Sequence, residues 1–169
     1  MTDALFRRAL TLILTAALAG CGGSAPGPAA SQGQARQDAS ARVGDVVVRA
    51  NAIATEGLGE AVARQYGIER DTGTVMLLVG VRRDDGNGNE VALPARVTAV
   101  AVDLLGKRQE LAMREVRSSA PGSGPGQGFI DYVGTARVIA PDTLRFDVTA
   151  ALEDEPPMRL RFNRDFFPR

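Results

Sequence analysis

Five groups of residues in this sequence have types and spacings that chemistry could use. Asp85-Gly86-Asn87-Gly88-Asn89 opens like a calcium loop, with oxygen ligands at alternate positions suited to a hard cation. The next position is Glu90 where such loops carry glycine, and the twelfth is Arg96 where they carry a bidentate glutamate. Asp-Gly and Asn-Gly are also common hairpin turns, so a plain turn is the more economical reading and no metal site is expected. Arg145, Arg159 and Arg161 fall on outward phases of two successive strands, where they could hold an anion. Asp147 shares their face, and cross-strand ion pairing competes with a ligand role. Glu153-Asp154-Glu155-Pro156-Pro157 gathers three carboxylates in a proline-stiffened turn, whereas catalytic carboxylates must flank a pocket from rigid elements. Ser118, Ser119 and Ser123 have no base nearby, and Gly122, Gly124, Gly126 and Gly128 alternate without a helix to follow. Asn51, Glu56 and Tyr66 flank a strand-to-helix junction, where a groove beside the sheet could use them as ligand or partner contacts. The competing reading has Asn51 satisfying irregular backbone and Tyr66 packing.

Cys21 is the sole cysteine, so no internal disulfide can use it. Before it stand Arg7 and Arg8, then the uncharged run Ala9 to Leu18, too short to span a bilayer but right for the core of a signal peptide. Leu18-Ala19-Gly20-Cys21 resembles the lipobox of bacterial lipoproteins at each position. That resemblance implies removal of residues 1–20 and fatty acylation, palmitate included, on the Cys21 thiol and the new amino terminus. Two or more acyl chains hold durably at a membrane, at about 0.8 kcal/mol per buried CH2. Gly22 rather than Asp at the next position favours the periplasmic face of the outer membrane by the sorting bias of such lipoproteins.

Twenty basic residues balance 20 acidic ones, and loss of Arg7, Arg8 and Asp3 with the signal leaves 18 against 19. A near-neutral chain has no long-range field to gather nucleic acid, and no nucleic-acid partner is expected. Histidine is absent, which removes Ser-His-Asp and Cys-His catalysis and the usual zinc sites. No cofactor is expected either.

Residues 21–42 read as the lipidated cysteine and a tether of Gly, Ser, Ala, Pro and Gln, reaching ~25 Å as a flexible coil. Residues 43–169 read as one all-β domain. Seven alternating runs predict strands: Asp45–Ile53, Thr74–Arg82, Ala95–Leu104, Arg108–Val116, Phe129–Val138, Thr143–Leu152 and Met158–Phe166. Leu144, Phe146, Val148 and Ala150 alternate with Arg145, Asp147 and Thr149, which predicts one buried and one wet face. About seven such strands suit an immunoglobulin-like antiparallel sandwich. Leu105-Gly106-Lys107 predicts a hairpin with positive φ at Gly106, and Ser118 to Gly128 an exposed loop. One short helix follows the first strand, with Gly59 as N-cap, the stripe Leu58, Val62 and Tyr66, and a stop at Gly67-Ile68.

Asn51-Ala52, the run Glu60 to Ile68 (EAVARQYGI), Glu110 to Val116 (ELAMREV) and the ending Phe162 to Phe167 carry a wider resemblance. Over Val46 to Phe167 the chain resembles the DUF4426 family, an exported domain of unknown function, departing from it in the Ser118 to Gly128 insert. The resemblance implies an exported β-sandwich and brings no activity or catalytic residue.

These readings together lead to the expectation of a non-catalytic envelope lipoprotein. It would be held at the membrane through its lipid and would bind or support another envelope protein. The alternative is a protein that binds a small ligand or cell-wall glycan, and a hydrolase using paired carboxylates stands last.

Overall fold

The computed structural model describes residues 39–119 and 128–168. Cys21, the signal segment and most of the expected tether lie outside the described residues.

Among the described residues, ten strands form two antiparallel sheets. In chain order they are β1 (Ala39–Val43), β2 (Val46–Ala54), β3 (Thr74–Asp84), β4 (Glu90–Ala92), β5 (Arg96–Val102), β6 (Arg108–Leu111), β7 (Arg114–Ser119), β8 (Gly128–Arg137), β9 (Asp142–Ala151) and β10 (Met158–Phe166). The larger sheet runs β1-β2-β3-β8-β7, with β4 beside the end of β3; the smaller runs β10-β9-β5-β6. The expected antiparallel sandwich is therefore present, with more strands than seven. The expected strand Arg108–Val116 is two strands: the chain leaves the smaller sheet after Leu111 and joins the larger at Arg114. β1 takes in the last four residues of the stretch read as tether and ends at Val43, the first residue of the expected domain. Ala-Ser-Ala-Arg-Val is bland in composition yet pairs in register with Val46–Ala50. Ser118, Ser119 and Gly128, read as loop, are paired strand ends, and residues 120–127 lie outside the described set.

Alternation positions the core. Val75, Leu77, Val79 and Val81 of β3 meet Leu144, Phe146, Val148 and Ala150 of β9 across the sandwich, all buried. Phe146 is fully enclosed and stacks on Phe162 of β10 at 5.2 Å between ring centroids. Period-2 burial follows because each run has apolar side chains at every second residue and the sheet buries one face. Gly134 has a close-packing reason to be glycine. A Cβ there would stand 2.6 Å from Met113 Sδ and 3.2 Å from Leu111 Cβ, where the chain crosses between sheets.

The helix α1 (Glu60–Gln65) follows β2, after a 3-10 turn at Thr55–Gly57, and lies on the outer face of the larger sheet. Gly59 is its N-cap, and Gly67, at φ +55°, ends it. There Ile68 N–H reaches Ala63 O at 2.8 Å and the Ile68 side chain packs below, as the stop signal predicts. The expected stripe is corrected in one member. Ala63 is buried and Val62 exposed. Leu58 precedes the helix in extended backbone, so helical spacing does not carry the stripe from Leu58 to Val62. Thr55, fully buried, donates to Asp71 O and accepts from Asp71 N–H, locking the turn to the loop after the helix.

Strand directions define the two ends of the sandwich. β2 finishes and β3 begins at one end, which we call the Ala54 end. The β5–β6 hairpin, the β8–β9 loop and the finish of β10 are all there.

Candidate functional site

The outer face of the larger sheet, beside α1, carries the most buried polar chemistry among the described residues. Arg82 on β3 and Asp131 on β8 project from this face, each side chain only 13% exposed, and their Nη2 and Oδ1 atoms meet at 2.6 Å. Arg82 Nη1 also donates to Ile130 O at 2.8 Å, and its guanidinium lies 5.9 Å from the Phe129 ring centre. Gly80 makes room for it, since a Cβ at that position would sit 3.3 Å from the guanidinium. The second oxygen of Asp131 accepts from the Tyr66 hydroxyl at 2.9 Å. Burial raises the Tyr66 pKa to about 12, and the Asp131 hydrogen bond and charge add to the effect.

Arg49 and Glu90 form a two-bond pair on the same face, both at 2.6 Å. The Arg49 hydrogen bonds hold the Glu90 carboxyl below its ordinary range. Arg49, Asn51, Leu78, Gly80, Arg82 and Asp131 line a shallow depression of about 180 Å³.

The structure thus brings two of the three expected junction residues to one place, Asn51 directly and Tyr66 through Asp131. Glu56 is placed elsewhere. It lines a separate depression of about 260 Å³ with Arg164 and Phe167, and its backbone carbonyl accepts from Arg70. Arg164 links the two places by donating to Asn51 Oδ1 at 3.3 Å. Arg82 and Asp131, the centre of the arrangement, were not among the expected site residues. Their signal is parity: both are charged at positions in phase with the helix-covered face.

A larger depression, about 420 Å³, lies where the end of α1 meets β7 and β8. Arg114 donates to Tyr66 O and caps the helix end, while Arg137 pairs with Asp71 at 2.6 Å. Hydrogen bonds from Thr74 and then Arg137 hold Asp71 below the ordinary carboxylate range. Gln109 exchanges two 2.8 Å hydrogen bonds with the Arg137 backbone, taking the place of a strand neighbour beyond β7.

On the outer face of the smaller sheet, Arg145, Arg159 and Arg161 are exposed as expected. Arg161 pairs with Asp147, whose other oxygen is 3.6 Å from Arg145. Arg159, beside Arg108 and Arg161 in an open depression of about 510 Å³, has no ion-pair partner among the described residues.

The calcium-like stretch is a turn. Asp85 Oδ1 accepts from Asn87 and Asn89 N–H and Oδ2 from the Asn89 amide, which lowers the Asp85 pKa. In the carboxylate cluster, Glu155 is paired with Arg83. The arrangement as a whole presents fixed, mutually satisfied polar groups. Asp131, Glu90 and Asp71 are each already engaged by arginine, tyrosine or threonine.

The DUF4426 family model, a domain of unknown function, matches residues 40–169. A DUF4426 family protein from Pseudomonas aeruginosa PAO1, known from a crystal structure, is similar at 26% identity and a TM-score of 0.58. The match covers 78% of this chain and 96% of that one. No curated protein matches.

Proposed function

Because the chain belongs to the DUF4426 family, a domain of unknown function, we propose from its own residues that it is a lipid-anchored, non-catalytic module of the bacterial envelope. It is held at the periplasmic face of the outer membrane, where it binds or supports another envelope component. The observation that carries this reading is Leu18-Ala19-Gly20-Cys21 behind a short uncharged run, followed by a sandwich whose described segments begin at Ala39. The internal pairing of the polar groups on the helix-covered face supports a rigid scaffold over a catalytic cleft.

Intact mass of the native chain tests the address. The expected product begins at Cys21 and carries diacylglyceryl and N-acyl groups, and Cys21→Ser yields an uncleaved or soluble chain. A mature chain that begins elsewhere refutes the reading. Crosslinking in intact envelopes, then pull-down, identifies the component bound.

A second reading, capture of a small ligand or cell-wall glycan, draws on the 420 Å³ depression, which is within the size range of ligand pockets. Glycan fragments that raise the melting temperature, with the rise abolished by Arg137→Ala, would favour it.

A further inference from the structure

The Ala54 end of the sandwich is unusually apolar for an exposed surface. Leu104 is 73% exposed, Leu105 96%, Ile139 88% and Phe167 70%. These four side chains belong to three segments that meet. The hairpin bearing Leu104 and Leu105 reaches the β8–β9 loop, Leu104 N–H lying 3.4 Å from Asp142 Oδ1. Ile139 is in that loop, and Asp142 pairs in register with Phe166, the neighbour of Phe167. The hairpin is held in shape: Asp103 Oδ1 accepts from Leu105 and Lys107 N–H, and Gly106 takes φ +82°. Two leucines at a shaped tip, facing water, leave apolar surface unburied that only an external phase or partner can cover.

Strand direction says which. β1 runs from Ala39, opposite Ala50, to Val43, opposite Val46, so the chain enters the sandwich from the Ala54 side. From Cys21 to Ala39 is a contour of at most about 65 Å. The chain thus enters at the end where the four apolar side chains project, so a membrane holding a Cys21 anchor can meet that end without the tether passing around the sandwich. Lys107 and Arg108, exposed and without ion-pair partners among the described residues, stand behind the tip where lipid phosphates would lie. Of the acidic groups at this end, Glu56 shares a depression with Phe167, while Asp103 and Asp142 accept hydrogen bonds from backbone N–H groups of the hairpin.

We propose that the Ala54 end is a lipid-docking tip: Leu104, Leu105, Ile139 and Phe167 enter the membrane interface and fix the orientation of the tethered domain. The inference rests on the lipoprotein reading for its anchor, and the experiment separates the two. The full mature chain is coupled through the Cys21 thiol to a maleimide phospholipid in vesicles of phosphatidylethanolamine and phosphatidylglycerol, so the anchor is supplied whatever the cell does. The chain contains no tryptophan, and Leu105→Trp, Ile139→Trp and Val91→Trp each introduce a single emitter at an exposed position. Leu105→Trp and Ile139→Trp should shift to the blue and be quenched by brominated acyl chains. Val91→Trp, at the opposite end, should do neither. Adding Leu104→Asp to the Ile139→Trp chain should lower the docked-to-undocked ratio roughly tenfold or more, the effect of one leucine lost from an apolar phase. Quenching of Leu105→Trp no greater than that of Val91→Trp overturns the proposal. So does a blue shift that grows with protein concentration without vesicles, which would assign this end to a second copy, or one that needs added envelope protein. A native chain lacking acylation sinks the lipoprotein reading alone and leaves this readout in place.

Discussion

The Tyr66–Asp131–Arg82 chain gives a sharp test of how the helix is fastened to the sheet. Tyr66→Phe removes one hydrogen bond to a carboxylate and leaves the ring packed, which should cost about 1 kcal/mol. Asp131→Ala removes the acceptor of both Tyr66 and Arg82. A fully buried arginine stripped of its carboxylate costs ~3–5 kcal/mol. Arg82 retains some water and its bond to Ile130 O, so about 2–3 kcal/mol is expected. The double variant should lose about 1 kcal/mol less than the sum of the two, because the shared bond is lost once. Urea midpoints measure all three. Alkaline titration adds a second readout, since the chain has only two tyrosines. Tyr66 is raised to about 12 by burial and Asp131, and Tyr132 is raised as well, chiefly by burial. The unfolded chain ionises tyrosine near 10, so between there and about 12 it holds fewer protons than the folded one. Stability from Tyr66 is therefore whole below pH 10 and is lost as pH climbs through about 12. In Asp131→Ala the Tyr66 midpoint should fall, while burial keeps it above the ordinary value. Full additivity of the two substitutions, or wild-type tyrosinate appearing at the ordinary midpoint, would refute this account.

Two further outcomes test the frame around that chain. Phe146→Ala should cost ~3–5 kcal/mol, from lost transfer energy and the cavity left under Phe162, while Asp147→Ala costs no more than about 1. Comparable urea midpoints for the two would mean that the phase of β9 is wrong. Gly134→Val should cost about 1–3 kcal/mol, because the new side chain meets Met113 and Leu111 at the crossing between sheets. A midpoint within ~0.5 kcal/mol of wild type would show that the crossing can shift aside.

Alternation was enough to place β9 and β10, because each has one wet face that keeps polar residues in phase. In β3 it placed Val75, Leu77, Val79 and Val81 inside but missed Met76, which α1 covers from the other face. It failed where burial is two-sided or the strand is an edge. β1 carries one valine in five residues and is defined by its partner rather than its own pattern. Arg108 to Val116 kept a plausible single phase, yet the chain changes sheets at Ala112-Met113, a break that no turn residue marks. Arg82 and Asp131 were legible one at a time as charges on the helix-covered face. Their meeting depends on the β3–β8 register, in which Gly80 is opposite Asp131, and that register is a tertiary fact. Asn51 and Tyr66 were found because a strand-to-helix junction needs polar partners; Glu56 satisfied the same rule in sequence and points to a different depression.

The two outer faces differ in a way that constrains where a partner can bind. On the larger sheet, α1 covers Met76 and Val133, and the polar remainder is tied up in the Arg82, Asp131, Tyr66, Arg49 and Glu90 contacts. A ligand there would have to compete with bonds already made between partly buried charges, which leaves less of its own binding energy in surplus. On the smaller sheet the pairs of Asp147 with Arg161 across the strands and with Arg145 along β9 are solvent-screened and worth at most about 1 kcal/mol each, and Arg159 and Arg108 stand outside them. That face can exchange its partners at little cost. It is also continuous with the hairpin carrying Leu104 and Leu105, because β5 and β6 run from the face into the tip. If the tip is set in lipid, the basic face stands upright beside the membrane, open to a carboxylate- or phosphate-bearing envelope component. The helix-covered face then serves as the stiff back of the domain.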